Sequence, residues 1–277
     1  MRLKTLLFLQ FFVFSLWAQE RIVSLSPSVT EIIYALGKGQ NLVATSAYSL
    51  YPKEAQILPI IGGYESPSLE KILLHVPTLV VGQSYNAQTL QNLEQFHIQT
   101  LALKLNTLED IKTSIAHLGK ILGAETQAKE LLTNITNALT NAPKSQKPHS
   151  VMIVYGLKED LRNGIYIAGH EIFFDDIILT CNNTNAYTAQ TTEQPVLSYE
   201  NVIALNPDQI IILHSHATEQ NVDVKRALMS WYALPTNAAK NHKISIVDEN
   251  YLHIPSHRVA QTITRLCEAM NETNTSY

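Results

Sequence analysis

The chain has 277 residues, 45% of them hydrophobic and 16% charged, and 24 acidic against 20 basic side chains give a net charge of −4. A mildly acidic composition of this kind argues against nucleic acid or an anionic membrane surface as partner, and the length suffices for two lobes with cores of their own. No low-complexity segment interrupts it.

Residues 1–18 carry Arg2 and Lys4, an apolar run from Leu6 to Leu16 and then Trp17-Ala18. This is the layout of a secretory signal peptide with cleavage after Ala18, and the run is too short for the roughly 20 residues of a spanning helix. With no cysteine near the cleavage point, export to the periplasm without a lipid anchor is expected. Losing Arg2 and Lys4 takes the net charge from −4 to about −6. The two cysteines, Cys181 and Cys267, are an even count in an oxidising compartment, which suggests a disulfide; two buried thiols are the alternative.

The first lobe begins with a strand at Arg21–Leu25 and a helix entered through Ser26-Pro27-Ser28-Val29-Thr30-Glu31. Ser28 and Glu31 have the spacing of a capping box, and Gly37 stops the helix. A strand at 42–45, the Gly62-Gly63-Tyr64 loop, a helix from Ala87 to Phe96, a strand at 99–103 and a helix from Leu108 to Leu122 behind Thr107 follow. A second helical run, Glu125 to Leu139, leads into the Pro143–Pro148 loop. The second lobe shows strands at 150–155, 165–167 and 243–247, with helices from His170, from Val222 and from Pro255 or Ser256.

One unit occurs in both halves. Ser68-Leu-Glu70, an apolar turn, Pro77 and the run Leu79-Val80-Val81 return as Ser198-Tyr-Glu200, an apolar turn, Pro207 and Ile210-Ile211. Each serine can cap a short helix, each glutamate sits at the positive end of its dipole, each proline ends the helix, and each apolar run suits a parallel strand buried on both faces. The fold class expected is α/β: two Rossmann-like parallel-sheet lobes joined by one long helix, with a ligand cleft between them. The boundaries are 19–123 for the first lobe, 124–147 for the linker helix and loop, and 148–277 for the second lobe.

With Ile22-Val-Ser-Leu-Ser-Pro27-Ser-Val-Thr-Glu31, Leu36-Gly37, Tyr51-Pro52, the Glu70 and Glu200 motifs and Gly169 before the second-lobe helix, the chain resembles the helical-linker class of periplasmic substrate-binding proteins of ABC importers. That class contains vitamin B12, siderophore, haem and zinc or manganese receptors, and the vitamin B12 receptor branch is the nearest. The resemblance implies a Cys181–Cys267 bridge, as in that branch. It also implies that Glu70 and Glu200 dock onto arginines of a permease dimer in the inner membrane, against the plainer role of complementing helix dipoles. A monomer is expected.

Ligand contacts are expected on loops at the carboxyl ends of the strands. The candidates are Tyr48, Tyr64 and Tyr85 from the first lobe, and Tyr166, His170, His214, His216, Tyr251, His253, His257 and Arg258 from the second. Aromatic rings suit a bulky planar or aryl-rich ligand, an arginine clamps a carboxylate or phosphate, and His214 and His216 share one face of a strand end. Those histidines could bind or cap a transition metal, but the first lobe offers none at a strand end, so a preassembled metal chelate is favoured over bare nickel, cobalt, zinc or manganese. Beyond residue 18 the only tryptophan is Trp231, a departure from the tryptophan-lined cleft of the best-known B12 receptors. It leaves corrinoid, haem, other iron complexes and nickel or cobalt chelates open. No Gly-x-Ser-x-Gly, His-Glu-x-x-His or phosphate loop is present, so an exported metalloenzyme is the weaker alternative, no catalytic residue is assigned and no cofactor is expected.

Overall fold

The computed structural model describes residues 20–189, 194–215 and 222–272. The expected signal peptide and His216 lie outside the described residues.

The first lobe runs β1 (Ile22–Ser24), α1 (Pro27–Ala35), β2 (Leu42–Ala44), α2 (Leu69–Leu74), β3 (Leu79–Gln83), α3 (Ala87–Glu94) and β4 (Gln99–Leu103). Its sheet has the order β2-β1-β3-β4, and every pair is parallel, as strand–helix–strand connections require. Two helices, α4 (Leu108–Ile121) and α5 (Glu125–Asn141), lead to the second lobe. The Thr107 cap is as expected: its hydroxyl accepts from Asp110 N while the Asp110 carboxylate accepts from Thr107 N. At 17 residues, α5 is about 25 Å long and is the single long connection between the lobes.

The second lobe contains β5 (Ser150–Tyr155), β6 (Ile165–Ile167), α6 (Phe173–Thr180), β7 (Thr184–Asn185), β8 (Val196–Leu197), α7 (Tyr199–Leu205), β9 (Gln209–His214), α8 (Val224–Tyr232), α9 (Asn237–Lys240), β10 (Ile244–Asp248) and α10 (Val259–Asn271). The order is β10-β9-β5-β6-β8, with β7 beside the start of β5. This sheet is mixed rather than parallel throughout. β10, β9, β5 and β7 are parallel, but β6 runs antiparallel to β5 and β8 antiparallel to β6. The physical reason is connection length, since the short loop from Gly156 to Gly164 carries no crossover helix and can only fold β6 back on β5.

Both copies of the repeated unit form as read. Ser68 accepts from Lys71 N and Ser198 from Asn201 N, β3 and β9 are interior strands, and both glutamates are exposed. The residue before each proline takes positive φ, Val76 at 44° and Asn206 at 47°.

Each lobe has a small core of its own, and the largest core is shared between them. The largest apolar cluster runs from Ile22, Ile32 and Val81 through Ile111, Ile115 and Ile135 to Val151, Phe174, Ile263 and Leu266, so α4 and α5 weld the two sheets together. A second cluster, around Trp231, Ile210 and Ile212, fills the far face of the second sheet. Cys181, at the end of α6, is bridged to Cys267 in α10, with Cα atoms 5.2 Å apart. No described helix is long and apolar enough to cross a membrane.

Candidate functional site

The site is built at the carboxyl ends of the first-lobe strands. After β2 the backbone is tied to residues 59–62 by three hydrogen bonds, Thr45 N to Pro59 O, Ile61 N to Thr45 O and Ala47 N to Gly62 O. This pairing brings the loop of Tyr48 against the loop of Tyr64. Gly62 sits at φ 130° with Ser66 O only 2.9 Å from where a Cβ would stand, so no other residue fits there. After β3, Gln83 N donates to Asn86 Oδ1 while Asn86 Nδ2 donates to the Tyr64 carbonyl, which locks the two loops together. The Tyr64 and Tyr85 rings meet edge to face at 6.2 Å. Tyr48, Tyr64 and Tyr85 are all exposed and form one aromatic wall.

Burial pushes the Tyr85 phenol up to about 12, with Tyr64 and Glu65 adding and hydrogen bonds to Ser26 and Gln83 opposing. Tyr64 is raised for the same first reason, then by Glu65 and Tyr48. Both are neutral phenols at neutral pH, able to donate and accept hydrogen bonds.

The second lobe contributes Tyr166, exposed on β6 with the Lys158 ammonium 4.5 Å from its ring centroid. Tyr155 ends β5, its ring 5.7 Å from Phe174 and 5.5 Å from His253, and burial raises its phenol. His170 Nδ1 lies 3.2 Å from the buried Asp175 carboxylate, which also accepts from Asn185. His170 precedes α6 rather than belonging to it, because α6 begins at Phe173.

The remaining candidates have other surroundings. Arg258 is not an open clamp for a ligand carboxylate, because it is buried and grips Glu31 of α1 through Nε at 2.9 Å and through Nη2. Its Nη1 donates to Asn250 at 2.8 Å, and its guanidinium stacks on Tyr51 at 4.1 Å and lies near Tyr251. Glu31 accordingly takes no part in a capping box. The α1 cap is Ser26, which accepts from Val29 N with Pro27 in the first turn, and Glu31 instead receives Arg258 and the Ser256 hydroxyl at 2.5 Å. His214 is buried at the end of β9, between β5 and β10, and does not reach an open surface. Tyr251 lines a groove between α5 and α10 with Asn134, Asn137 and Arg265. His253 and His257 both precede α10 and share no helix face. Among the described residues, no group of three or more His, Cys, Asp or Glu side chains is close enough to hold a metal ion.

Glu31, Tyr51, Tyr155 and Lys158 were missed. A signal existed for Glu31, which stands beside Ile32 and Ile33 as the one charged residue of its helix. An acid there needs a buried partner.

The sequence model of the periplasmic binding protein family matches residues 22–251. The chain belongs to this family. The vitamin B12-binding protein of Photorhabdus laumondii subsp. laumondii is 28% identical over 276 residues, spanning 98% of this chain and 95% of that protein. Among solved structures, the periplasmic heme-binding protein RhuT of Roseiflexus sp. RS-1 in apo form superposes with a TM-score of 0.74 at 26% identity, covering 91% of this chain and 97% of that one. The periplasmic vitamin B12 binding protein BtuF of Vibrio cholerae gives a TM-score of 0.71 at 24% identity over 91% and 96%, which shows the common fold. This family consists of binding proteins.

Proposed function

We propose that the protein is an exported solute-binding protein that captures a metal chelate, either a corrinoid or an iron complex such as a siderophore or haem, and delivers it to an ABC permease dimer. The observation that carries this reading is the wall of Tyr48, Tyr64 and Tyr85, three exposed rings on loops locked by hydrogen bonds, within the family fold. Rigid aromatic area binds a planar or aryl-rich ligand at little entropic cost. The relatives named for vitamin B12 and heme binding support the same class of cargo.

In this reading residues 19–123 and 148–277 act as the two lobes and 124–147 as the linker. Residues 1–18 are removed on export to the periplasm, leaving a soluble monomer without a lipid anchor. Glu70 and Glu200 present one acid per lobe to the permease. Glu200 is exposed, and hydrogen bonds from Ser198 and Tyr199 hold its carboxyl below the usual range, keeping it charged.

The test is titration of the mature protein with cyanocobalamin, hemin, ferric siderophores and nickel or cobalt chelates, followed by tyrosine fluorescence and visible absorbance. Trp231 is buried in the second apolar cluster and makes a poor reporter. Saturable one-to-one binding of one chelate is the expected result. Binding of bare zinc or manganese alone would move the cargo to the metal-receptor class, and turnover of a bound compound would revive an enzyme.

A further inference from the structure

Under the tyrosine wall lies a set of side chains that the binding reading leaves unexplained. Ser24, Thr30, Thr45 and Ser49 are buried at 0 to 5% exposure, with Ser26 and Ser46 buried beside them. Thr30 Oγ1 is the hub, lying 2.8 Å from Ser24 Oγ, 2.6 Å from Thr45 Oγ1 and 3.2 Å from Ser49 Oγ. Thr45 Oγ1 donates to Ser49 Oγ at 2.8 Å, and Ser46 Oγ is 3.4 Å from Ser49 Oγ. A buried hydroxyl costs free energy unless paired, and hydroxyls paired with neighbouring hydroxyls and the local backbone gain little over an apolar packing of the same shape.

What the cluster touches is the loop of Tyr48. That residue has φ 66°, a left-handed backbone unfavourable for an aromatic residue, and its ring is 66% exposed, so packing of the ring does not compensate. Its neighbour Ser49 points inward, while Tyr48 and Leu50 point out, and Leu50 N donates to Tyr48 O at 2.9 Å to close a tight turn about Ser49. Such a backbone persists only where its surroundings over-determine it. The same hub reaches the second ring, since Thr30 Oγ1 also donates to Ser26 O at 3.1 Å and Ser26 Oγ accepts from Gln83 beside Tyr85.

We propose that the buried hydroxyls of Thr30, Thr45 and Ser49 are positioning groups that hold Tyr48 in its strained, outward-presenting geometry and so preorganise the wall for its ligand. The ligand half of this proposal rests on the chelate-binding reading. The strain half does not, and the two are tested separately.

In urea unfolding without ligand, Tyr48→Gly is more stable than Tyr48→Ala, the reverse of the usual order, because both lose the ring but only glycine escapes the strain. Ser49→Ala lowers the urea midpoint, and lowers it less in the Tyr48→Gly background, where nothing strained remains to be held. With cyanocobalamin or hemin as probe, whichever the unsubstituted protein binds, Thr45→Val weakens binding about tenfold. Thr45→Ser restores the affinity, and Thr45→Val has no further effect once Tyr48 is glycine. A more stable Tyr48→Ala, or an Ser49→Ala loss that is equal in both backgrounds, overturns the proposal. If neither probe binds the unsubstituted protein, corrinoid and haem fall as cargo while the urea cycle still decides whether the hydroxyls hold Tyr48.

Discussion

Glu31 and Arg258, separated by 227 positions in the chain, form a buried two-point ion pair that joins the first helix of one lobe to the start of the last helix of the other. Ser256 and Asn250 complete the polar shell and the Tyr51 ring covers the guanidinium, so neither charge is left without partners. The pair ties the two lobes at one point.

Removing one partner strands the other in a low-dielectric site. Glu31→Gln is expected to lower stability by about 3–5 kcal/mol, read from urea unfolding. The double variant Glu31→Met with Arg258→Met should lose much less than the two single losses combined. Additive losses would mean that the charges do not act as a pair.

Val76 and Asn206 occupy the same place in the two repeated units, at φ 44° and 47° before a proline, yet only asparagine tolerates that backbone well. Val76 is largely exposed, so Val76→Asn loses little packing and should stabilise the protein by about 1 kcal/mol. An unchanged or lower melting temperature would count against strain at this site.

His257 is mostly buried, and its Nδ1 has no hydrogen-bond partner. Burial, then the neighbouring Arg258 charge, push its imidazole down to about 4 from 6.5. The folded protein therefore binds fewer protons than the unfolded chain between these values. The stability this group contributes is full above about pH 6.5 and is lost as pH falls toward 4, by up to ~3 kcal/mol. Thermal melts at pH 7 and pH 4.5 should differ less for His257→Gln than for the unsubstituted protein. An equal difference would assign the acid sensitivity to other groups.

The bridge from Cys181 to Cys267 closes a loop with a sequence separation of 86. Replacing both by serine should cost about 4–5 kcal/mol if restriction of the unfolded chain is the main effect, measured by urea unfolding under non-reducing conditions.

Glu70→Ala and Glu200→Ala are expected to abolish uptake of the cargo in cells while leaving its Kd within about twofold, since both side chains are exposed at helix starts outside the tyrosine wall. A large loss of ligand affinity in either variant would contradict a docking role.

Local patterns carried much of this architecture. The serine caps of α2 and α7, the Thr107 capping box, the prolines that end both short helices and the apolar runs of β3 and β9 depend on neighbours within a few residues, and each formed where the chain reads that way. Tyr48 and Tyr85 follow predicted strands and Tyr64 stands in a glycine-rich loop, although only the pairing of residues 45–47 with 59–62 and the bonds of Asn86 bring their loops together. Long-range contacts decided the rest. Glu31 has the spacing of a cap and the surroundings of a core residue, and the distant Arg258 settles which property wins. Arg258 looked available to a ligand for the complementary reason, since nothing nearby in sequence reveals that its carboxylate belongs to another helix of the same chain. His214 stands at a strand end, but the sheet order makes that strand interior and buries the ring. Periodicity and capping are properties of a few consecutive residues, so they can be read in order along the chain. Burial and charge pairing depend on which distant segments meet, and those meetings exist only in the folded molecule.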